Sequence, residues 1–117
     1  MKITKVDVIQ EKVPERASWR PILCRIYTDE GIYGDGEAAL AYGIAAPAAF
    51  GMVRDLASLI IGMDPFNTEE IWEHLHRHTF WGMGGGVVVT SAMAAIDTAC
   101  WDIKGKALNV PVYKLIG

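Results

Sequence analysis

A long helix near the end of the chain constrains the fold more than any other segment. Residues 90–108 place apolar or small side chains at the i, i+3, i+4 and i+7 spacing of a helix with one buried face. The members of this predicted face are Ala92, Ala95, Ile96, Ala99, Cys100, Ile103 and Ala107. Because most of these side chains are small, another segment of backbone can approach the helix closely. Asn109 and Pro111 favour an end to the helix at Leu108.

The first third of the chain predicts three antiparallel strands. Residues 2–13 mix β-branched and charged side chains, which is typical of a strand with one face in water. Residues 22–28 and 32–38 flank Asp29–Gly31, so they predict a hairpin with glycine where the turn can take a positive φ. The sequence therefore predicts a three-stranded antiparallel meander.

Helical patterns fill the rest of the chain. Residues 44–61 predict a helix that can start near Ala46, because Pro47 is best tolerated in a first turn. A second helix follows Asn67 and runs to Thr79 or Trp81. The expected fold class is α+β, a three-stranded meander followed by a helical bundle.

Charge and composition exclude several classes of function. The net charge of −3 gives no basic face for nucleic acid. There is no run of 18 apolar residues, which excludes a membrane-spanning helix, and no signal peptide at the N-terminus, so we expect a cytoplasmic protein without membrane partners. Cys24 and Cys100 are expected to be reduced core residues rather than a disulfide.

Two groups of residues could have a functional role, but each also has a purely structural explanation. His74 and His78 share a helical face as two zinc ligands would, although neither His76 nor any other nearby residue completes the set. A glycine run at residues 82–86 precedes a helix, yet its spacing fits a turn better than a phosphate loop.

Carboxylates are the other candidates for chemistry. Asp97 and Asp102 in the long helix, and Asp35 with Glu37 on one strand face, could serve as acid or base. Hydrogen bonding within the structure is the alternative that their surroundings favour. From residue types and spacing alone, no complete active site emerges.

Two predicted loops carry large recognition-type side chains. The loop of residues 15–21 contains Trp19 and Arg20, and the loop of residues 39–43 contains Tyr42. Both loops leave the same predicted sheet, so they could project from one edge as a lid does. The alternative is that Trp19 and Tyr42 only cover the sheet.

The segment 95–117, AIDTACWDIKGKALNVPVYKLIG, resembles a signature segment of the mandelate racemase / muconate lactonizing branch of the enolase superfamily. The opening MKITKV, the hairpin 28–37 and the run 59–65 also resemble segments of that branch, and they occur in the same order along the chain. Residues 77–82 resemble acid-sugar dehydratases, galactonate dehydratase-like members especially.

The resemblance implies an enolase N-terminal-like capping domain over residues 1–112, with residues 113–117 starting a connector to a C-terminal TIM barrel that this chain lacks. In that family the Mg²⁺ ligands and the basic residues lie on barrel strands, and no position here matches them. The reaction starts with removal of a proton α to a carboxylate, and the resemblance leaves dehydratase or racemase activity open.

The resemblance also implies a role for the two loops. Their side chains Arg16, Trp19, Arg20 and Tyr42 would bind the distal end of an acid-sugar carboxylate. Ala41 stands where mannonate dehydratase-like members carry Asn, which argues against that substrate. The implied partners are the protein's own barrel and further copies of itself in a homo-oligomer. A stand-alone interaction module with the same fold is the competing hypothesis.

Overall fold

The computed structural model describes residues 1–40 and 43–117, which form one α+β unit as predicted. In chain order the elements are β1 (Ile3–Gln10), β2 (Ile22–Thr28), β3 (Tyr33–Ala38), a 3-10 turn (Gly43–Ala45), α1 (Ala46–Ile60), α2 (Thr68–His78), α3 (Val87–Leu108) and α4 (Val112–Ile116). The sheet order is β1-β2-β3, with both pairs antiparallel. The predicted meander and the helices that follow it are confirmed.

The first strand ends earlier than the sequence predicts. β1 stops at Gln10, whose partner is Ile22, whereas the β-branched pattern extends to residue 13. β2 begins directly after Pro21, which has no N–H to contribute to a ladder. The backbone N–H of Glu11 donates to the carbonyl of Pro21 at 2.9 Å and closes the pairing. Residues 12 and 13 therefore belong to the loop.

The long helix α3 packs on the sheet through the predicted face. The side chains of this face from Ala92 to Ile103 are buried, and only Ala107 is half-buried. An added Cβ on Gly36 would lie 1.9 Å from the carbonyl oxygen of Ala95, and one on Gly34 would lie 2.0 Å from that of Ala99. The predicted close approach of two backbones is thus the contact between β3 and α3.

The ends of the helices differ from the predictions in detail. α3 begins at Val87, three residues before the predicted start, and Asn109 ends it in the left-handed region at φ 53° as expected. The Asn67 side chain does not cap α2; its amide nitrogen donates to Glu70 at 3.0 Å instead. α4 was not predicted.

The predicted division between residues 112 and 113 falls inside α4 and stays a prediction. Within the residues described, no helix combines the length and the apolar character that crossing a membrane requires.

Candidate functional site

Both predicted recognition loops leave the same end of the sheet. Gln10 and Ala38 are each paired with Ile22, so β1 ends, β2 begins and β3 ends at one edge. The loop between β1 and β2 and the segment after β3 start from that edge. The register thus gives the two segments a common starting point, and their projection as a lid stays a prediction.

Short hydrogen bonds hold the loop between β1 and β2 in shape. Its base is closed by the hydrogen bond from Glu11 to Pro21. Inside it, the backbone N–H of Arg16 donates to the carbonyl of Val13 at 3.0 Å, and that of Trp19 donates to the carbonyl of Arg16 at 2.8 Å. The loop is therefore a pair of consecutive turns on a closed base.

A cavity of about 240 Å³ lies within this loop. The residues that line it are Lys12, Val13, Pro14, Ala17, Trp19 and Arg20. Trp19 is partly buried, whereas Arg16 and Arg20 are exposed. The guanidinium carbon of Arg16 lies 5.6 Å from the centre of the Trp19 ring, within the range of a cation–π contact. The structure thus brings together Arg16, Trp19 and Arg20, and two of them line a formed cavity.

Tyr42, the fourth predicted binding residue, and Ala41 lie outside the described residues. The role expected of Tyr42 remains a prediction.

Sequence reasoning missed Lys12 as a member of this site. The β-branched pattern of residues 2–13 assigned Lys12 to a strand. A lysine on the solvent-exposed face of a strand is common, so it did not suggest a functional role. Its place in the cavity follows from the end of β1 at Gln10. The signal that could have found it is Pro21, because a partner without an N–H ends the ladder.

Asp35 and Asp102 both form hydrogen bonds within the structure, which is the structural role that the sequence favoured as the alternative to catalysis. Asp35 accepts two hydrogen bonds from the guanidinium of Arg25, at 2.7 and 2.9 Å. The Arg25 hydrogen bond is the main reason why the pKa of Asp35 is lowered. Asp102 accepts from the backbone N–H of Asp35 at 2.9 Å and from the Lys106 ammonium at 2.7 Å. These contacts fasten the edge of β3 to α3.

Asp97 is half-buried, accepts no hydrogen bond of this kind from the described residues and has a raised pKa. Burial is the main cause, the charge of Glu69 adds to it, and Lys104 opposes both. A raised pKa suits a general acid or base only where a substrate can reach the group. Asp97 does not line the cavity of the loop between β1 and β2, so we assign it no chemistry.

The histidines and cysteines form no convergent site in the described part of the chain. The rings of His74 and His78 stack with centroids 4.3 Å apart, and Nδ1 of His78 lies 3.0 Å from the carbonyl oxygen of His74. Residues 1–40 and 43–117 contain no cluster of three or more His, Cys, Asp or Glu residues that could hold a metal ion. Cys24 and Cys100 are free and buried, so the prediction of reduced core residues is confirmed.

This α+β architecture, with two loops at one sheet edge, is that of a known domain family. The sequence profile of the mandelate racemase / muconate lactonizing enzyme N-terminal domain matches residues 6–117. The chain therefore belongs to this family, and the resemblance inferred from the sequence is confirmed.

Similar relatives and solved structures are named as dehydratases. The chain is 44% identical to the D-galactonate dehydratase of Pectobacterium atrosepticum over 117 residues, which are 100% of this chain and 28% of that protein. A candidate dehydratase from Zymomonas mobilis ZM4 is 57% identical, with a TM-score of 0.95 over 99% of this chain and 30% of that one.

A second similar structure contains bound ligands. It is an enolase from Pantoea ananatis with bound D-gluconate and Mg, 36% identical to this chain, with a TM-score of 0.85. The match covers 99% of this chain and 27% of that one. The chain thus spans less than a third of the length of each of these relatives.

Proposed function

We propose that this chain is the N-terminal capping domain of an acid-sugar dehydratase that acts by removing a proton α to a carboxylate. In this proposal residues 1–112 form the cap and residues 113–117 begin the connector to a barrel domain. Dehydration is favoured over racemisation by the names of the relatives, D-galactonate dehydratase among them. The observation that carries the proposal is the closed loop with its cavity, at the sheet edge from which both recognition loops leave.

The capping domain would contact the part of the substrate that is remote from the reacting carbon. Trp19 offers a flat apolar face for the carbon skeleton of a sugar, and Arg16 and Arg20 offer hydrogen-bond donors that are always charged. Tyr42 belongs to the same proposed set. A lid of this kind excludes water and selects substrates by shape, so its residues affect specificity more than the chemical step.

Magnesium is part of the proposal for the full-length protein only. Mg²⁺ would stabilise the enediolate formed after proton removal, and the Pantoea ananatis structure with bound Mg supports its use in this family. The described residues of this chain do not fit such an ion, because they contain no cluster of three ligating side chains. We therefore assign no step of the reaction to them.

The test is a panel of acid sugars with the full-length protein in Mg²⁺ buffer. Dehydration of at least one aldonate or aldarate is expected, and none is expected from the 117-residue chain alone. Trp19→Ala and Arg20→Ala should raise KM about tenfold or more and change the order of preferred substrates, with a smaller effect on kcat. Arg77→Ala, which removes an exposed arginine paired with Glu73 on α2, is the matched control.

Two results would refute this assignment. Activity in the isolated chain would show that its own residues carry the chemistry. Identical kinetics in Trp19→Ala, Arg20→Ala and Arg77→Ala across the panel would remove the loop from the binding site.

The second candidate is a stand-alone interaction module with the same fold. Exposed apolar side chains between α2 and the first residue of α3 favour it: Phe80, Trp81, Met83 and Val87 are each at least 65% exposed. The reading frame beyond Gly117 separates the two candidates. A downstream barrel supports the capping domain, and a stop codon supports the module.

Oligomerisation and location complete the proposal. We propose a homo-oligomer in the cytoplasm, where the free thiols of Cys24 and Cys100 would stay reduced. Light scattering of the full-length protein measures the oligomeric state directly.

A further inference from the structure

The middle of β1 is a free edge of the sheet. β1 is the outer strand in the order β1-β2-β3. The backbone N–H of Glu11 donates to the carbonyl of Pro21, and this bond fixes the alternation of the antiparallel ladder between β1 and β2. The backbone groups of Val6, Val8 and Gln10 therefore point away from β2. In the described part of the chain, no backbone group outside the ladder bonds to them.

The opposite edge of the sheet is occupied by α3. The backbone N–H of Asp35 on β3 donates to the carboxylate of Asp102 at 2.9 Å. The carbonyl of Tyr33 accepts a hydrogen bond from the ammonium of Lys106 at 2.8 Å. Side chains of α3 thus bond to outward-facing groups of β3, where a neighbouring strand would otherwise pair.

The start of β1 is occupied as well. The backbone N–H of Ile3 donates to the carbonyl of Met63 at 2.9 Å, and its carbonyl accepts from Gly62 at 2.8 Å. A bulge between Ile3 and Lys5 interrupts the regular ladder at the same place. The free edge is therefore confined to residues 5–10.

A cavity of about 350 Å³ lies beside this edge, between β1 and α1. It is lined by Val6, Asp7, Val8, Phe50, Arg54 and Ala57. Val6 and Val8 are half-buried on this side, and Ile9 on the other face of the strand is 41% exposed. α1 thus leaves room beside β1. A strand edge with unpaired N–H and carbonyl groups is a template for another strand.

A second copy of β1 can pair with this edge across a two-fold axis, and the place of the axis decides which side chains meet. An axis at Asp7 sets two Asp7 carboxylates opposite each other. An axis at Ile9 sets Asp7 opposite Glu11, again with like charges. An axis at Val6 directs the second copy into the occupied start of β1. An axis at Val8 avoids all three conflicts.

We propose that the free edge of β1 binds a second copy of the protein, antiparallel and with the two-fold axis at Val8. Val8 then exchanges backbone hydrogen bonds with Val8 of the second copy, and Val6 does so with Gln10. Lys5 lies opposite Glu11 of the second copy, so an ion pair forms on each side of the axis. The two sheets become one continuous sheet. This inference names the contact of the proposed homo-oligomer and rests on that part of the proposed function alone.

The first experiment links the two copies by a disulfide. Opposite residues of a pair that is not hydrogen-bonded have Cα atoms about 4.5 Å apart, which a disulfide can span. The axis at Val8 makes residues 7 and 9 such a pair. A mixture of full-length Asp7→Cys and Ile9→Cys should therefore form this link about tenfold or more faster than either variant alone. The native Cys24 and Cys100 are buried, and peptide mapping by mass spectrometry identifies the linked residues.

A matched mixture tests the register. Lys5→Cys and Asp7→Cys introduce thiols on the same strand face, but only an axis at Val6 would bring them together. We expect little link in this mixture. A faster link here than between residues 7 and 9 would overturn the register.

The second experiment exchanges the charges. Lys5→Glu and Glu11→Lys each set like charges opposite each other when the variant pairs with itself, whereas a mixture of the two variants pairs opposite charges at both places. Each variant alone should associate about tenfold more weakly than the parent, and the mixture should recover most of the affinity. Sedimentation of the full-length protein measures both. Lys114→Glu, which makes the same change of charge on α4, is the matched control.

Amide hydrogen exchange of the full-length protein identifies what covers the edge. The N–H groups of Val6, Val8 and Gln10 should be protected in the dimer and exchange rapidly in Lys5→Glu or on dilution. The N–H groups of Asp7 and Ile9, which face β2, should stay protected throughout. Protection of the first three that neither dilution nor Lys5→Glu removes would show that another segment of the same copy lies there. Rapid exchange at every concentration would show an unpaired edge, and either result overturns the proposal.

The outcomes separate this contact from the proposed function. Absence of the link between residues 7 and 9, or no recovery in the mixture of charge variants, overturns the contact. An oligomer that persists in light scattering then forms through another surface, and dehydration is unaffected. Formation of the link in a protein that turns over no acid sugar supports the contact and removes the proposed dehydratase.

Discussion

Asp97 shows how the surroundings of one residue change its chemistry. It stands on a helix with Asp102, and the sequence does not distinguish the two. Both are half-buried, but Asp102 accepts hydrogen bonds from Asp35 and Lys106, whereas Asp97 is affected by the negative charge of Glu69. Burial raises the pKa of Asp97 because the charged form is poorly solvated there.

The raised pKa of Asp97 predicts a pH-dependent effect on stability. An acid whose folded-state pKa lies above its unfolded value costs stability once pH rises through that interval, and the cost disappears at lower pH. Asp97→Asn should therefore stabilise the chain at pH 7, by less than about 1 kcal/mol because the side chain is partly exposed. Denaturant unfolding at pH 7 and pH 3 measures the difference between variant and parent.

Asp35→Asn is the control for this prediction, because the pKa of Asp35 is lowered. Its replacement should destabilise the chain at pH 7, and this loss should fade as pH falls below the ordinary value of 3.8. A destabilising effect of Asp97→Asn at pH 7 would contradict the account of Asp97.

Packing between α3 and β3 depends on the absence of side chains on one strand. Gly34 and Gly36 face the backbone of α3, and each would place a Cβ about 2 Å from a helix carbonyl. The small residues of α3 and the glycines of β3 are therefore two halves of one contact. Each half can be recognised in the sequence, but the contact between them joins residues that are far apart in the chain and is seen only in the tertiary structure.

This contact predicts a large penalty for the smallest possible side chain. Gly36→Ala forces helix and sheet apart and should lower the free energy of unfolding by about 3 kcal/mol or more, as overpacking of backbone against backbone does. Thermal unfolding followed by circular dichroism gives the measurement.

Gly51→Ala is the matched control for Gly36→Ala. Gly51 lies inside α1 with no heavy atom within 4 Å of an added Cβ. Alanine should stabilise that helix by about 0.5–1 kcal/mol. Similar changes in the two variants would contradict the packing described for β3 and α3.

The reactivity of the two cysteines can be used to follow unfolding of the whole molecule. Cys24 lies on β2 and Cys100 on α3, and both are buried in the shared core. Burial is the main cause that raises the pKa of each thiol to about 12. At pH 8 only about one in ten thousand of these thiols is then ionised to the reactive thiolate, whereas a substantial fraction is ionised in an unfolded chain.

Labelling of these thiols should therefore follow global unfolding. With a disulfide reagent at pH 8, the native chain should react many times more slowly than in guanidinium chloride, and both cysteines should react together. Mass spectrometry of the partly labelled protein counts the modified sites. Rapid reaction of one thiol in the native chain would show that the sheet and α3 separate locally.

The sequence by itself determined the fold class, the order of the strands and major helices, the end of α3 at Asn109 and the family. These features depend on local periodicity, on turn residues and on a long signature segment, which are all readable along the chain. The tertiary structure decided where β1 ends, which carboxylates are paired and that Lys12 lines a cavity with Arg20. The physical reason is that ladder partners and burial join residues far apart in the chain, which spacing does not encode.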